Sequence, residues 1–313
     1  MIRKTVLALA AGVAIALTAQ AQVYNWADGE EPDEPLELEN LHGFVVGLNI
    51  GFYQANSNTA SIYNGYGFDR EGERNTFANS WLNRYLNQSP QRRAQIGETM
   101  NIGPQEWSFD ESDMPNEMTF RPAFMWGAHF RYHLNPDFAF FAEVGGANPV
   151  TVGEFTITNN TAAPGQLQAE RINRFQIRGE EQRLLLTLGM RQVIGRKERE
   201  RQGKSVGFLP LIEFGLNSTF VSFEESFISM PPPIGTGDLT VFFTPQGFQT
   251  EEARNLTGIG FGAFGGLGGQ IFLGGHIMVD LVYRPSFEHV RLGAWDERSF
   301  QHQLLVRAVW TQW

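Results

Sequence analysis

The chain has 313 residues, of which 34 are acidic and 24 are basic, and its formal net charge is −10. This negative charge argues against a nucleic-acid partner, and the absence of cysteine excludes disulfide bonds and thiolate metal sites. The mean hydropathy of −0.26 is too low for a bundle of membrane helices, yet the chain contains 34 Gly and 26 Phe. Such a composition is typical of strands that are apolar on one face and polar on the other.

The amino terminus has the features of an export signal. Arg3 and Lys4 precede an apolar stretch at residues 5–17, and Ala19-Gln20-Ala21 then offers a cleavage site of small residues. A retained anchor helix is the alternative, but the stretch is shorter than the roughly 20 apolar residues that a span needs. The predicted division is a signal peptide at residues 1–21, an acidic periplasmic segment at 22–40 and one domain at 41–313.

The first predicted strand, at residues 43–52, alternates strictly. Every even position is large and apolar, and every odd position except Val45 is Gly or Asn. A soluble sandwich turns its apolar face inward, whereas a membrane barrel turns it outward around a narrow polar lumen. One strand is compatible with either fold.

Seven further segments repeat this alternation with charged or polar residues on the face that lacks large apolar side chains. They lie at residues 124–134, 138–145, 183–191, 212–220, 257–268, 276–284 and 303–311. About eight strands of membrane-crossing length is an even number, as single-chain bacterial barrels require. The sequence therefore predicts an all-β, antiparallel, up-and-down transmembrane β-barrel at residues 41–313.

The predicted connections differ in length between the two ends of the barrel. With the amino terminus in the periplasm, the outer connections are the longer ones, at roughly 54–118, 151–178, 223–255 and 287–299. The periplasmic connections are at 135–137, 195–204 and 273–275, and Asn135-Pro136-Asp137 is typical of a tight turn. Short periplasmic turns and long extracellular loops are characteristic of outer-membrane barrels.

The chain resembles the outer-membrane protein β-barrel domain family, which includes the small OmpA/OmpX-like porin-family barrels. The resemblance rests on the signal peptide, the Gly-alternating first strand, the hairpin from Tyr132 to Glu143, and a last strand that ends in Trp313. It implies an outer-membrane location in a Gram-negative-type cell envelope and contact with outer-membrane lipid and lipopolysaccharide. It also implies folding by the barrel-assembly machinery, which reads an aromatic-ended last strand. Trp313 departs from this pattern, because it shares the odd parity of Arg307 and not the even parity of Trp310 and the other outward residues. Either a bulge shifts the register of the strand, or Trp310 is the aromatic residue that is read.

Eight charged residues of both signs fall on the inward face of the predicted strands. They are Arg131, Glu143, Arg183, Arg191, Glu213, Asp280, Arg284 and Arg307. An eight-stranded lumen is barely wide enough for side chains, so these charges must pair with one another. We predict a plugged, structural interior. A narrow ion-conducting pore, in which the same charges set selectivity, is the alternative.

The first outer loop contains a predicted short amphipathic helix. Phe77, Trp81 and Tyr85 recur at helical spacing, with Leu82 and Leu86 one residue on. Asn75 or Thr76 would cap this helix, and Pro90 would end it. The apolar stripe either packs over the barrel mouth as a lid or forms a docking surface for a partner protein or a glycan. In the second case, Tyr63, Tyr66 and Phe68 would contribute to the surface.

Three other patterns suggest chemistry that the strand assignment argues against. The glycine pattern at residues 260–265 matches a dinucleotide fingerprint, but the further glycines that follow it disfavour the required helix. His129 and His133 would lie about 13 Å apart on a strand, too far for one metal ion. Glu288-His289 and His302 are the nearest candidates for a hydrolase, but no Ser stands beside either His at the required spacing. We predict no cofactor and no metal.

The sequence thus favours a non-enzymatic outer-membrane barrel. Its extracellular loops would bind a ligand, or the protein would be an accessory subunit of a larger outer-membrane complex. A small porin is the second possibility, and an outer-membrane hydrolase is a distant third.

Overall fold

The structure is a computed structural model that describes residues 43–67, 73–161, 171–196, 208–230, 241–243, 257–273, 277–292 and 295–310. The predicted signal peptide and acidic segment, and with them Phe68 and Trp313, lie outside these residues. Within the described ranges, no helix is both long and apolar enough to span a membrane.

Among the described residues, twelve strands form one antiparallel sheet, and eight of them close into a ring. The strands are β1 (Gly43–Gln54), β2 (Trp107–Ser108), β3 (Thr119–Phe120), β4 (Ala123–His133), β5 (Phe138–Ala147), β6 (Val150–Asn159), β7 (Ile172–Val193), β8 (Phe208–Met230), β9 (Val241–Phe243), β10 (Thr257–Phe272), β11 (Ile277–Leu292) and β12 (Trp295–Trp310). The ring follows the order β1, β4, β5, β7, β8, β10, β11 and β12, and β12 pairs again with β1. These eight strands contain the eight alternating segments, so the predicted eight-stranded up-and-down barrel is confirmed.

The barrel is apolar outside and charged inside. On the adjacent strands β7 and β8, Leu188 and Leu216 face outward and are 65% and 67% exposed, whereas Arg191 and Glu213 face inward and are 1% and 2% exposed. Successive side chains of a strand point to opposite faces. The apolar residues of each alternating segment therefore face outward and the charged residues face the lumen, which is the reverse of a soluble protein. A surface of exposed Leu and Phe is suited to lipid and not to water.

Several strands extend beyond the predicted segments. β7 and β8 have 22 and 23 residues, about twice the 9–11 that a membrane-spanning strand needs. The predicted outer connections at 151–178 and 223–255 are therefore wrong in part, because β6 and the first half of β7 occupy the former and β8 continues into the latter. We call β6, residues 172–180 of β7 and residues 225–230 of β8 the arm.

The predicted outer connection at 287–299 is also wrong, since β11 continues to Leu292 and β12 begins at Trp295. Backbone ladders continue outside the lipid, where the apolar alternation that marks a membrane strand is no longer needed. Pro285 lies within β11, and the ladder to β10 omits Pro285 and its neighbour Arg284. The missing donor of proline is thus accommodated locally.

The ends of the barrel differ as the sequence predicts. At the turn end, β4 and β5 are joined by a tight turn, in which the Asn135 Oδ1 accepts hydrogen bonds from the backbone N–H groups of Asp137 and Phe138 at 2.9 and 2.8 Å. At the loop end, the chain between β1 and β4 forms helices and short strands. Because short turns face the periplasm in bacterial barrels, we expect the loop end to be extracellular.

The outward face of β12 ends in an aromatic residue. Trp310 pairs with Val46 on β1 and with Ile277 on β11, and its side chain is on the lipid side of the barrel. Of the two aromatic residues considered from the sequence, Trp310 therefore occupies the outward position in the ladder.

The first loop contains two α-helices where the sequence predicts one. α1 (Trp81–Leu86) follows a 3-10 turn at Phe77–Asn79, and α2 (Pro90–Thr99) follows directly. The predicted caps are wrong, because the Ser80 side chain accepts a hydrogen bond from the Asn83 N–H and so caps α1. Pro90 begins α2 instead of ending α1, since the first helical position needs no N–H donor.

Candidate functional site: the barrel interior and the lid

All eight predicted inward charges are buried inside the barrel, and seven of them form one network. Four of these are guanidinium groups, and three are carboxylates. The seven are Arg131, Glu143, Arg191, Glu213, Asp280, Arg284 and Arg307. They come from six of the eight strands, and each stands at an inward position of its strand because of the two-residue period.

The centre of the network is a four-membered arrangement of two arginines and two glutamates. Arg284 donates to Glu143 at 2.5 Å and to Glu213 at 2.9 Å, and Arg307 donates to the same two residues at 2.8 and 2.6 Å. β5, which carries Glu143, stands opposite β11, which carries Arg284, in the ring of strands. The side chains thus meet across the full width of the lumen.

A second group of charges lies on the turn-end side. Arg131 on β4 and Arg191 on β7 both donate to the same oxygen of Asp280 on β11, the latter at 2.7 Å. Arg307 connects the two groups, because its Nη1 lies 3.6 Å from that oxygen. Strands on different sides of the barrel are therefore joined through one carboxylate.

Arg183 lies apart from this network, in contrast to its predicted membership. It donates to Glu181 at 2.8 Å, to the hydroxyl of Tyr53 at 2.8 Å and to the hydroxyl of Thr59 at 3.3 Å. Sequence reasoning missed Glu181 and Tyr53, although both have the inward parity of their strands. The alternation that predicts the first strand ends at residue 52, and Glu181 precedes the apolar segment that predicts β7.

Glu288 forms a third buried group that the sequence did not predict as structural. Its carboxylate accepts hydrogen bonds from Asn217 at 2.5 Å, Thr219 at 2.8 Å and Ser286 at 2.7 Å. All four residues are buried. His289 lies on the opposite, exposed face of β11, so it cannot act together with Glu288.

Two phenylalanines complete the filling of the middle of the lumen. Phe141 has the inward parity of Glu143 on β5, whereas the sequence does not reveal Phe264 because glycines mask the alternation of β10. The rings are 6.1 Å apart, and the Arg284 guanidinium lies 4.6 Å from the Phe264 ring and 5.4 Å from the Phe141 ring. Gly189 provides space for both, since a Cβ there would lie 2.7 and 2.8 Å from the two ring tips.

The buried histidines have no shared partner. His129 accepts a hydrogen bond from Arg131 through Nε2 at 3.1 Å, so Nδ1 carries the proton and donates to Glu143 at 2.8 Å. His133 lies two residues on, past Arg131, and is buried as well. Within the residues that the structure describes, no cluster of three or more His, Asp or Glu side chains is arranged to hold a metal ion.

The mouth of the barrel is crossed by a 3-10 helix at Thr59–Tyr63. This helix contacts both β7 and β12, which stand opposite each other in the ring. Thr59 contacts Arg183 in the lumen, and Tyr63 stacks on Phe223 of β8 with ring centroids 5.2 Å apart. The start of the first loop therefore closes the loop end of the lumen.

The helices follow this closure in the chain and contribute to the same buried apolar cluster. We call residues 59–67 and 73–120 the lid. Of the five aromatic residues predicted as a docking surface, Tyr63, Trp81 and Tyr85 are buried. The docking prediction is wrong for these three, because Trp81 and Tyr85 are on the buried face of α1 and Tyr63 stacks on Phe223. Burial raises the pKa of Tyr85 to about 12. Tyr66 and Phe77 are only half-buried, and burial together with Glu111 raises the pKa of Tyr66.

The lid is also fastened to the arm. Trp107 in β2 pairs with the end of β6, and the Arg93 guanidinium lies 3.9 Å from its ring and donates to its carbonyl at 2.9 Å. Thr156 of β6 donates to the Asp113 carboxylate in the lid. The lid and the arm therefore form one assembly at the loop end of the barrel.

The inverted burial and the closed ring decide the fold. It is a small outer-membrane β-barrel. No family model matches the chain, and no curated protein matches it either. Solved structures with similar folds include Neisserial surface protein A, NspA, at 10% identity and a TM-score of 0.38, with 86% of this chain and 97% of that chain covered.

Two further similar structures are outer-membrane or attachment proteins by name. The outer membrane protein OprG from Pseudomonas aeruginosa has 9% identity and a TM-score of 0.38, with 88% of this chain and 99% of that chain covered. Ail, the attachment invasion locus protein of Yersinia pestis, has 10% identity and a TM-score of 0.30, with coverages of 86% and 98%. At these identities the likeness concerns the fold alone.

Proposed function

We propose that this protein is a non-enzymatic outer-membrane barrel with a closed lumen, which presents the lid and the arm for binding outside the cell. The observation that carries the proposal is the 2.5 Å ion pair between Glu143 and Arg284 on opposite strands. A lumen that is crossed by paired side chains supports the loops mechanically but offers ions no continuous path.

The filling of the lumen disfavours the small porin. An ion in transit would have to separate Arg284 and Arg307 from their glutamates, and the freed charges would then be buried without partners. Breaking a buried pair costs on the order of 3–5 kcal/mol. The lid adds a second barrier, since the 3-10 helix at Thr59–Tyr63 spans the mouth.

The position of the candidate catalytic groups disfavours a hydrolase. Glu288 faces the lumen and accepts three hydrogen bonds, whereas His289 faces outward. His302 also faces outward, where its Nδ1 pairs with the Tyr283 hydroxyl at 2.9 Å. Adjacent residues of a strand point to opposite faces, so neither histidine reaches the buried carboxylate.

The extracellular assembly provides surface for a partner protein or a glycan. The half-buried rings of Tyr66 and Phe77 lie on the lid, and the arm carries exposed charges such as Arg174 and Glu154. Aromatic rings beside exposed polar groups are suited to either kind of ligand. The apolar exterior contacts outer-membrane lipid and lipopolysaccharide, and the barrel-assembly machinery folds the protein through its last strand.

Conductance in planar bilayers tests the closed lumen. The purified protein is expected to show no steady open channel, and Glu213→Lys is expected to add none that is selective. Glu154→Lys, which makes the same change on the arm, serves as the control. Reproducible conductance of the unaltered protein, with a selectivity that Glu213→Lys alters and Glu154→Lys does not, would establish the porin instead.

Affinity purification from detergent-solubilised outer membrane tests the binding function. We expect a stoichiometric protein partner or a bound glycan that is lost in the double variant Tyr66→Ala/Phe77→Ala. Leu188→Ala on the lipid-facing surface is the control, and it should retain the partner. Equal recovery with both variants would contradict a binding surface on the lid.

A further inference from the structure

The network in the middle of the lumen is unbalanced in charge. It contains the guanidinium groups of Arg131, Arg191, Arg284 and Arg307 but only the carboxylates of Glu143, Glu213 and Asp280. Arginine stays protonated in proteins, so the network carries one positive charge in excess. A buried charge without a counter-charge is strongly disfavoured.

The excess charge belongs to the turn-end group. Arg284 and Arg307 share Glu143 and Glu213, which makes two charges of each sign. Arg131 and Arg191 are left with Asp280, and both use the same oxygen, Oδ2. Two cations therefore share one anion in this part of the lumen.

Guanidinium N–H groups in this group lack acceptors. The Nη1 of Arg131 and the Nε and Nη2 of Arg191 have no hydrogen-bond partner among the described residues, although both side chains are at most 1% exposed. His133, the next inward residue of β4, is buried there too. The unpaired N–H donors thus belong to the same turn-end group that carries the excess positive charge.

The other groups near this site do not supply the missing charge. Arg307 adds a third cation, 3.6 Å from the shared Asp280 oxygen. The carboxylate of Glu288 also lies in the interior, but it is held by the neutral side chains of Asn217, Thr219 and Ser286. Water could accept from the free N–H groups and donate to the unpartnered Asp280 Oδ1, but water cannot neutralise the charge.

We propose that a monovalent inorganic anion, a halide such as chloride, binds inside the barrel between the guanidinium groups of Arg131 and Arg191. One halide neutralises the excess and accepts the free N–H groups of both side chains. A divalent oxyanion would replace an excess of one positive charge by an excess of one negative charge. The site is structural, and it is independent of the function proposed above.

Halide-dependent thermal unfolding tests the site in the purified full-length barrel. We expect the midpoint in sodium chloride or bromide to exceed that in sodium gluconate at equal ionic strength, because a ligand of the folded state raises its stability by mass action. The rise in the unfolding midpoint should level off at high halide concentration. Equal midpoints in all three salts would overturn the proposal and indicate that water alone occupies the site.

Two variants make opposite predictions about this dependence. Arg191→Gln balances the network at three charges of each sign, and we expect it to lose the difference between chloride and gluconate. Glu213→Gln raises the excess to two charges and should make the difference larger. A chloride effect of unchanged size in Arg191→Gln would place any bound halide elsewhere and so contradict the proposal.

A bromide-soaked crystal locates the ion directly, including when Glu213→Gln fails to fold. We expect an anomalous peak within hydrogen-bonding distance of Arg191 Nη2 and Arg131 Nη1, and its loss in Arg191→Gln. Anomalous peaks confined to the protein surface would overturn the assignment.

Discussion

The middle of the lumen and the lid both close the barrel, but they do so by different interactions. The middle is filled by charged side chains, such as Glu213 and Arg284, which meet in pairs at 2.5–2.9 Å. The lid is filled by apolar side chains, such as Trp81 and Leu82, which pack without fixed partners. The charge network in the middle depends on each of its charged residues, whereas the packing of the lid depends on the total apolar surface that is buried.

This difference predicts different responses to substitution. A charge that loses its partner inside a barrel is left buried in an unfavourable environment, whereas an apolar contact that is lost leaves a cavity into which neighbours relax. We therefore expect one substitution in the charge network to destabilise the whole barrel, whereas a substitution in the lid should destabilise only the lid.

The largest effect is expected from Glu213→Ala. It leaves both Arg284 and Arg307 with one carboxylate fewer, and we expect the free energy of unfolding to fall by about 3–5 kcal/mol. Denaturant titration in detergent, followed by the gel shift between folded and heated protein, measures it. Glu154→Ala on the arm, whose carboxylate is 3.8 Å from Arg174 and exposed, should change stability by less than ~1 kcal/mol. An equal fall in the free energy of unfolding in the two variants would show that the buried charge network is no more sensitive to substitution than an exposed ion pair.

A smaller and local effect is expected from Trp81→Ala. Removing this buried ring should destabilise the lid by about 3 kcal/mol, while the barrel still runs as the folded form on unheated gels. Limited proteolysis should then cut between residues 73 and 121 faster than in the unaltered protein. The exposed Gln88→Ala is the matched control in the same loop. Loss of the folded gel band in Trp81→Ala would show that lid and barrel unfold together.

Overpacking tests the aromatic part of the middle. Gly189→Ala should cost about 1–3 kcal/mol, because the new Cβ would lie 2.7 Å from the Phe141 ring and 2.8 Å from the Phe264 ring. Phe264→Leu in the same chain should recover part of the loss. Gly265→Ala on the other face has no atom within 4 Å of its Cβ and serves as the control. A loss in Gly265→Ala as large as in Gly189→Ala would mean that ring crowding is not the cause.

The smallest effect is expected at the start of α1. Ser80→Ala removes the acceptor of the Asn83 N–H, and we expect a loss of about 1 kcal/mol confined to the lid. Hydrogen exchange of residues 81–86 should accelerate, while that of β4 and β5 stays unchanged. Unaltered exchange in the helix would show that the cap contributes nothing there.

The sequence predicts which residues enter the lumen but not which of them pair. Parity along a strand assigns Arg131 and Asp280 to the inside, because the period of two is a property of the backbone. Pairing depends on the tilt of the strands and on the stagger between them, which bring residues of distant strands to one level. For this reason parity alone places Arg183 with the other seven charges, although it lies with Glu181 near the loop end.

The lid could be recognised but not oriented from the sequence. The spacing of Trp81 and Tyr85 indicates a helix with an apolar face, and this is compatible with a lid and with a docking surface. The choice depends on the barrel mouth beneath it, in particular on Tyr63 and Phe223, which are 160 residues apart in the numbering. Strand ends were missed for a related reason, since pairing above the membrane requires no apolar alternation.

The closure of the ring has a consequence for the order of assembly. Arg307 stands on β12, the last strand that the structure describes, and its guanidinium contacts Glu143, Glu213 and Asp280, which are made earlier in synthesis. These three carboxylates therefore reach their full set of partners only when β12 joins β1. An intermediate that lacks this final strand holds three guanidinium groups and three carboxylates in an open groove, and β12 adds the fourth guanidinium group, so closure of the seam and completion of the charge network are a single event in biogenesis.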